Sequence, residues 1–299
     1  MTPLLFELSA APGLAADLSS HVEGEVGQLS RRQFPDGESY VRLLTPVHGR
    51  AVMILCTLNR PDPKLAPLLF AAAAAREQGA SSVGLVAPYL AYMRQDKEFQ
   101  SGEAVTSSTF ARVLSTHFDW LVTVDPHLHR YDRLSAIYTV PALAATSTDA
   151  IAQWISAEVD RPIVIGPDEE SFQWVDRIAR AAGARATVLR KVRSGDFSVS
   201  LDGDGLADLG KGTPVIVDDI ASSARTMIEA VRLVRSTQDE PPVCVAVHAI
   251  FADDAYEQLR KAGPARVVST NTVPHESNVI NLAAPLAEAV AEELGRLIS

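Results

Sequence analysis

PVIVDDIASSARTM, residues 214–227, runs four apolar positions straight into Asp218 and Asp219 and then into a small, hydroxyl-rich turn. A strand that is apolar on successive residues is covered on both faces, as in a parallel sheet. The stretch behind the turn predicts a helix near Ser223–Val234. Strand–turn–helix units of this kind stack into parallel sheets with helices on both faces, and ligands collect there beyond the carboxyl ends of the strands. The two carboxylates stand at such an end. Backbone amides at a helix start, with side-chain hydroxyls beside them, make a cradle for phosphate. Paired carboxylates at the strand tip can hold the vicinal hydroxyls of a ribose, or a metal riding on them. Helix capping alone would explain one Asp and one Ser, but not the whole string, so the segment reads as a phosphosugar site.

The same alternation extends outward in both directions. AVMILC (51–56) precedes a helix from about Lys64 to Gln78, SVGLVAPY (82–89) a helix over Thr106–His117, and WLVTVD (120–125) follows. The second half repeats the scheme with PIVIG, a helix near Glu169–Ala182, TVLRKV read as one strand, the opening segment, VCVAVHAIF and RVVST. The alternation relaxes over Tyr138–Ser147. We therefore expect an α/β protein with two doubly wound domains, at 1–145 and 146–283, the last helix (about 284–299) packing back on the first.

Composition sets further bounds. Of 299 residues 47% are hydrophobic and 21% charged, the balance of a globular protein with a sizeable core. No apolar run is long enough to span a membrane, and the N-terminus lacks the basic stretch of a secretion signal. Cys56 and Cys244 lie inside apolar strands at a spacing that suits neither zinc nor a disulfide framework, so the cytoplasm is the expected location. A formal net charge of −10 argues against a nucleic-acid binder. Gly205-x4-Gly210-Lys211 nearly spells a P-loop, but Gly212 stands where a metal-binding hydroxyl belongs and a strand follows instead of a helix, so it reads as a turn.

The opening segment resembles the motif with which type I phosphoribosyltransferases, and the pyrophosphokinases that make their substrate, bind phosphoribosyl pyrophosphate. Two positions depart from it: Ser222 replaces an Asp and Arg225 a Gly, which lacks glycine's backbone freedom. Four more segments resemble the ribose-phosphate pyrophosphokinases in particular. QFPDGESYVRL (33–43), PYLAYMRQDKEF (88–99), VDPHLHR (124–130) and IGPDEES (165–171) occur in the family's order and spacing. The resemblance implies two domains of type I phosphoribosyltransferase-like fold and a diphosphokinase that uses ATP and ribose 5-phosphate. It implies ATP contacts at Phe34, Asp36, Gly37, Glu38, Arg94, Gln95 and Asp96, and Mg2+ ligation by His127 and Asp168. It places ribose 5-phosphate on Arg193, Asp218, Asp219, Ser222, Ser223, Ala224, Arg225 and Thr226. The hairpin around Phe34 reaches a neighbouring subunit's ATP site in the family, which implies a homo-oligomer, dimeric or hexameric.

LRKVRSGDFSV (189–199) runs from a strand into a Gly-Asp loop. Lys191 and Arg193 alternate along the strand end and can share a side. By resemblance Lys191 is the catalytic lysine and Arg193 the arginine beside the transferred phosphates. Taken without the resemblance, several of these residues have ordinary roles: Pro-Asp-Gly is a common β-turn, and a basic strand edge discourages aggregation. A phosphoribosyltransferase has no need of the ATP segments or the Lys191 loop. A regulatory, non-catalytic homologue would be expected to lose Lys191 or the metal ligands, and it keeps them; Arg225 and Glu169-Glu170-Ser171, where relatives carry small residues, are what favour it.

Overall fold

The computed structural model describes residues 2–128, 130–168, 171–193, 199–202 and 211–297, and for 190–193 and 199–202 the backbone alone. The chain divides into two units. The first comprises Met1–Thr146, Thr272–Pro274 and Leu282–Ser299, the second Ser147–Asn271 and His275–Asn281.

In the first unit β1 (Leu4–Ser9), α1 (Leu14–His21) and β2 (Glu25–Gly27) lead into a hairpin, β3 (Leu29–Gln33) and β4 (Ser39–Leu43). Then come β5 (Ala51–Cys56), α2 (Asp62–Glu77), β6 (Ser82–Ala87), α3 (Thr106–His117), β7 (Trp120–Val124) and β8 (Ala142–Ala145). The sheet runs β2-β1-β5-β6-β7-β8 with every neighbour parallel. Its middle strands are buried along nearly their whole length, because helices cover both faces and leave no side for polar residues.

The second unit comprises α4 (Thr148–Glu158), β9 (Pro162–Gly166), α5 (Phe172–Ala181) and β10 (Arg185–Val188), then a hairpin of β11 (Arg190–Arg193) and β12 (Val199–Asp202). It continues with β13 (Thr213–Ala221), α6 (Arg225–Thr237), β14 (Val243–Ala249), α7 (Ala255–Lys261), β15 (Arg266–Thr270) and β16 (Asn278–Ile280). Its sheet runs β10-β9-β13-β14-β15-β16, again all parallel. Both sheets therefore have the same order, and each unit carries one antiparallel hairpin between its second and third sheet strands. The final helix, α8 (Ala283–Arg296), belongs to the first unit and packs on α1, β7 and β8, burying Leu286 and Val290 completely.

Three local expectations are corrected. TVLRKV is not one strand. Val188 ends β10 in the parallel sheet and Arg190 opens the hairpin, with buried Leu189 between them donating its N–H to the Gly166 carbonyl at 2.9 Å. The helix expected from Ser223 begins at Arg225, and the strand before it runs on through both aspartates to Ala221. The Tyr138–Ser147 stretch contains β8. Its strand is too short, and too small in its side chains (ALAA), to stand out as an apolar run. Glu169, Glu170 and the Gly205–Gly210 turn lie outside the described residues.

Candidate active site

In both sheets the strand order reverses direction at the first strand of the unit, and a crevice opens there at the carboxyl ends. In the second unit the reversal lies between β9 and β13, hydrogen-bonded neighbours. Asp168 follows β9 by two residues, and Asp218 and Asp219 lie three and two residues before the end of β13. The topology thus delivers three carboxylates to one end of two adjacent strands. Gly166 makes the β9 end possible, since a Cβ there would collide with Ser171 Oγ and stand 2.8 Å from Val188 Cγ1. Ser171 donates its Oγ–H to the Asp168 carbonyl at 2.6 Å and its N–H to Asp168 Oδ1 at 3.3 Å, so Asp168 is tied to the turn that leads into α5.

Burial, and then the Asp219 and Asp168 carboxylates, push the Asp218 carboxyl well above the usual range. The Asp219 N–H, donated to Asp218 Oδ1 at 3.0 Å, offsets this only in part. Such a cluster calls for cationic or hydroxyl partners. Beyond it, Ser222, Ser223 and Ala224 form the turn into α6. The Ser222 carbonyl accepts the Ala252 N–H at 3.1 Å, which ties the turn to the end of β14. The left-handed residue is Ala224, at φ 55° and ψ 11°, while Arg225 is the first residue of the helix. The substitution of Gly by Arg at 225 therefore falls where the backbone needs no glycine; the conformational strain sits one residue earlier and is carried by the smallest side chain that has a Cβ.

In the first unit the Phe34–Glu38 turn closes the β3–β4 hairpin. Gly37 adopts φ 91°, a conformation open to glycine, and its N–H meets the Phe34 carbonyl at 2.9 Å. Asp36 Oδ1 accepts the Glu38 N–H at 3.1 Å. Phe34 is 37% exposed and is flanked by Arg32, whose guanidinium lies 4.4 Å from its ring, and by Tyr40 edge-on at 6.1 Å. An aromatic face so presented suits stacking on a planar group.

Arg94, Gln95 and Asp96 follow Tyr92, a non-glycine residue at φ 63°. Arg94 is exposed. Asp96 has a side chain only 7% exposed and pairs with Arg130 Nε at 3.4 Å. His127 lies just past β7, where Asp125 takes φ 32° and donates its N–H to the Ala145 carbonyl at 3.0 Å. His129 lies outside the described residues, as do the side chains of Lys191 and Arg193. The backbone puts Lys191 opposite Leu201 and Arg193 opposite Val199 in the β11–β12 hairpin.

Among the described residues no three His, Cys, Asp or Glu side chains converge closely enough to hold a metal ion by themselves. Magnesium keeps several waters and is commonly bound by one or two carboxylates together with substrate phosphates. The hard oxygen donors at 168, 218 and 219 fit such an ion, and His127, in the first unit, offers a nitrogen.

Residues 4–117 match the family model of the N-terminal domain of ribose phosphate pyrophosphokinase, and residues 133–288 that of the phosphoribosyl transferase domain. The ribose-phosphate pyrophosphokinase of Methanopyrus kandleri is 31% identical over 279 residues, which is 93% of this chain and 94% of the relative. The chain belongs to the ribose-phosphate pyrophosphokinase family. A second member, from Sulfolobus acidocaldarius, is 30% identical over 285 residues, 93% of this chain and 95% of its own length. The crystal structure of phosphoribosylpyrophosphate synthetase from Mycobacterium smegmatis shares the fold, with a TM-score of 0.85 over 99% of this chain and 100% of that one at 23% identity.

Sequence reasoning passed over Arg130 and Tyr131. A lone Arg-Tyr pair three residues beyond a histidine carries no pattern, and its meaning depends on Asp96 and Ser107, which come far earlier in the chain.

Proposed function

We propose that this family member transfers the β,γ-diphosphate of ATP to the C1 hydroxyl of ribose 5-phosphate, giving phosphoribosyl pyrophosphate and AMP, in the cytoplasm. The observation that carries the reading is the acidic strand tip of β13 running into the α6 turn, in a chain whose relatives are ribose-phosphate pyrophosphokinases over nearly their whole length. Asp218 and Asp219 hold the ribose hydroxyls. The hydroxyls of Ser222, Ser223 and Thr226, with the amides of Ala224 and Arg225 at the helix start, hold the 5-phosphate. Phe34, with Asp36, Gly37 and Glu38 of its turn, packs on the adenine of a neighbouring copy in a homo-oligomer. Arg94 and Gln95 hold ATP phosphates, where a planar guanidinium gives two-pronged contact.

By the resemblance His127 and Asp168 are the residues that would hold magnesium, and the ion would neutralise triphosphate charge. The C1 hydroxyl attacks the β-phosphorus in line and AMP departs; no covalent enzyme intermediate is required. The residues therefore act by positioning and by stabilising the charge that develops around that phosphorus. Lys191 and Arg193 supply fixed positive charge for this purpose.

The test is a product assay with purified protein, ATP, magnesium and ribose 5-phosphate. AMP formed in step with phosphoribosyl pyrophosphate is the expected result. ADP as the product would replace the reading with simple phosphoryl transfer, and absence of turnover, with and without added phosphate, with a regulatory homologue.

A further inference from the structure

The ATP segment and the His127 loop are separated by some thirty residues of chain, yet polar contacts within the first unit bind them together. Arg130 Nε lies 3.4 Å from Asp96 Oδ1. The next residue, Tyr131, points its hydroxyl at the Asp96 carbonyl at 3.4 Å and stands 3.3 Å from Ser107 Oγ. Ser107 is fully buried on α3 and donates its N–H to the Gln95 carbonyl at 3.2 Å. Arg130 and Tyr131 thus grip both the side chain and the backbone of the segment that carries Arg94 and Gln95, three and four residues after His127. On its far side the segment is fastened again: the Tyr92 hydroxyl donates to Asp62, and its ring lies 4.8 Å from that of Phe110.

The two ends of the Asp96–Arg130 pair differ sharply in exposure, with 7% of the Asp96 side chain in contact with solvent against 51% of Arg130. A largely buried carboxylate has little surface left to present to a nucleotide, and an anion there would repel the triphosphate. Its partner, by contrast, sits on a loop that begins at a left-handed Asp125. Arg130 and Tyr131 follow His127 by three and four residues on that loop, so the contacts that hold them limit where the imidazole can stand.

We propose that Asp96, in place of the ATP contact that the resemblance implies for it, forms with Arg130 and Tyr131 a clasp that sets His127 relative to Arg94 and Gln95, the three being positioning residues for ATP–metal binding that do not themselves touch ATP. The inference rests on the proposed roles of His127 and the 94–95 segment. Residues that orient a metal ligand typically change metal affinity or activity by about 10- to 100-fold when removed. Because the clasp acts on the first unit's ATP side, ribose 5-phosphate binding on the second unit stays as it was.

The experiment is a steady-state comparison of wild type with Arg130→Ala, Asp96→Asn, the double variant, Tyr131→Phe, Arg130→Lys and His127→Ala. Each is assayed for the KM of MgATP, the half-saturating Mg2+ concentration and the KM of ribose 5-phosphate. Arg130→Ala and Asp96→Asn are each expected to raise the first two by about 10-fold with the third unchanged, the double variant to be no worse than either single, and Arg130→Lys to recover most of the loss. If the effects of Arg130→Ala and Asp96→Asn simply add, Arg130 meets ATP on its own and the clasp is overturned. If His127→Ala shifts Mg2+ dependence and the clasp variants do not, the clasp is again overturned while the metal assignment stands. If His127→Ala itself leaves Mg2+ dependence unchanged, the metal assignment is what fails. Should Asp96→Asn not fold, Tyr131→Phe, which removes one hydroxyl, decides: a threefold or larger rise in both ATP-side constants is expected, and no change in either overturns the proposal.

Discussion

The two units share one sheet plan, and the turn that follows the third sheet strand shows how they diverge. In the second unit β13 carries two aspartates just before its end at Ala221 and passes through Ser222, Ser223 and a left-handed Ala224 into α6. In the first unit β5 passes through Thr57, Leu58, Asn59 and a left-handed Arg60, at φ 49°, into α2. There the turn is filled from within. Lys64 Nζ donates to the Thr57 carbonyl at 2.8 Å and to Asn59 Oδ1 at 2.6 Å, and Thr57 Oγ1 donates to the Thr272 carbonyl at 2.6 Å. Burial, chiefly, lowers the Lys64 pKa, so the ammonium has given up water for these oxygens. One backbone plan yields two chemistries: a turn whose polar groups are spent on each other, and a turn beside crowded carboxyls, where burial and the neighbouring acids hold the Asp218 carboxyl well above the usual range. Topology places a site, and a handful of side chains decide whether it is open.

The strongest way to press this contrast is to disable the second unit's own chemistry, in the β11–β12 hairpin and at the tip of β13. Lys191→Ala is expected to lower kcat by about two to three orders of magnitude while ribose 5-phosphate binding, followed by calorimetry, persists. Replacing Asp219 by Ala in the second unit should instead weaken ribose 5-phosphate binding itself. A Lys191→Ala protein with near wild-type turnover would falsify the catalytic assignment.

Lys64→Met tests the first unit's turn. It leaves the Thr57 carbonyl and Asn59 without their donor and should cost about 1–3 kcal/mol of stability by urea unfolding, with the KM of ribose 5-phosphate unmoved. A change in that KM would mean that the filled turn also serves the sugar phosphate, and the contrast between the units would collapse.

Smaller effects come from the two left-handed residues. Ala224→Gly and Arg60→Gly each relieve a conformation that costs an L-residue about 1 kcal/mol or more, so both variants should melt slightly higher, provided that no side-chain contact is lost with them. Activity is the sharper readout at 224, where a loop that becomes freer is expected to raise the KM for ribose 5-phosphate modestly.

The smallest expected effect is one of pH. The bond from the Tyr92 hydroxyl to Asp62, and then burial, raise the phenol's pKa from 10.0 to about 12. Because the folded value is the higher one, the folded state holds this proton more tightly than the unfolded chain. The contribution is therefore complete below pH 10 and is lost as pH rises through 12. Urea midpoints followed up that range should fall more steeply for wild type than for Tyr92→Phe; parallel slopes would remove Tyr92 from the account.

Much of this was readable in the chain. PVIVDD is unmistakable because a doubly covered strand has to be apolar throughout, and Pro-Asp-Gly at 35–37 marks its hairpin because the turn needs a left-handed Gly37. The β10–β11 break was not readable. TVLRKV is continuous in composition, and only the pairing of Val188 with β9 and of Arg190 with Asp202 separates it. The start of α6 was misplaced for a related reason: serines suit a helix start as well as a turn, and nothing in an alanine announces a left-handed backbone. Asp96 was legible as part of the ATP segment, but its ion pair was not, since that contact joins residues 96 and 130 through the tertiary fold.

The return of α8 to the first unit has a consequence for synthesis. A chain made from its N-terminus exposes β7, β8 and α1 long before the helix that covers them exists, because Leu286 and Val290 emerge only after all the residues of the second unit. Units generally fold in the order in which they are made. Here the later-made unit is the first to have all its parts, and the earlier one waits with an uncovered apolar surface until α8 has been made.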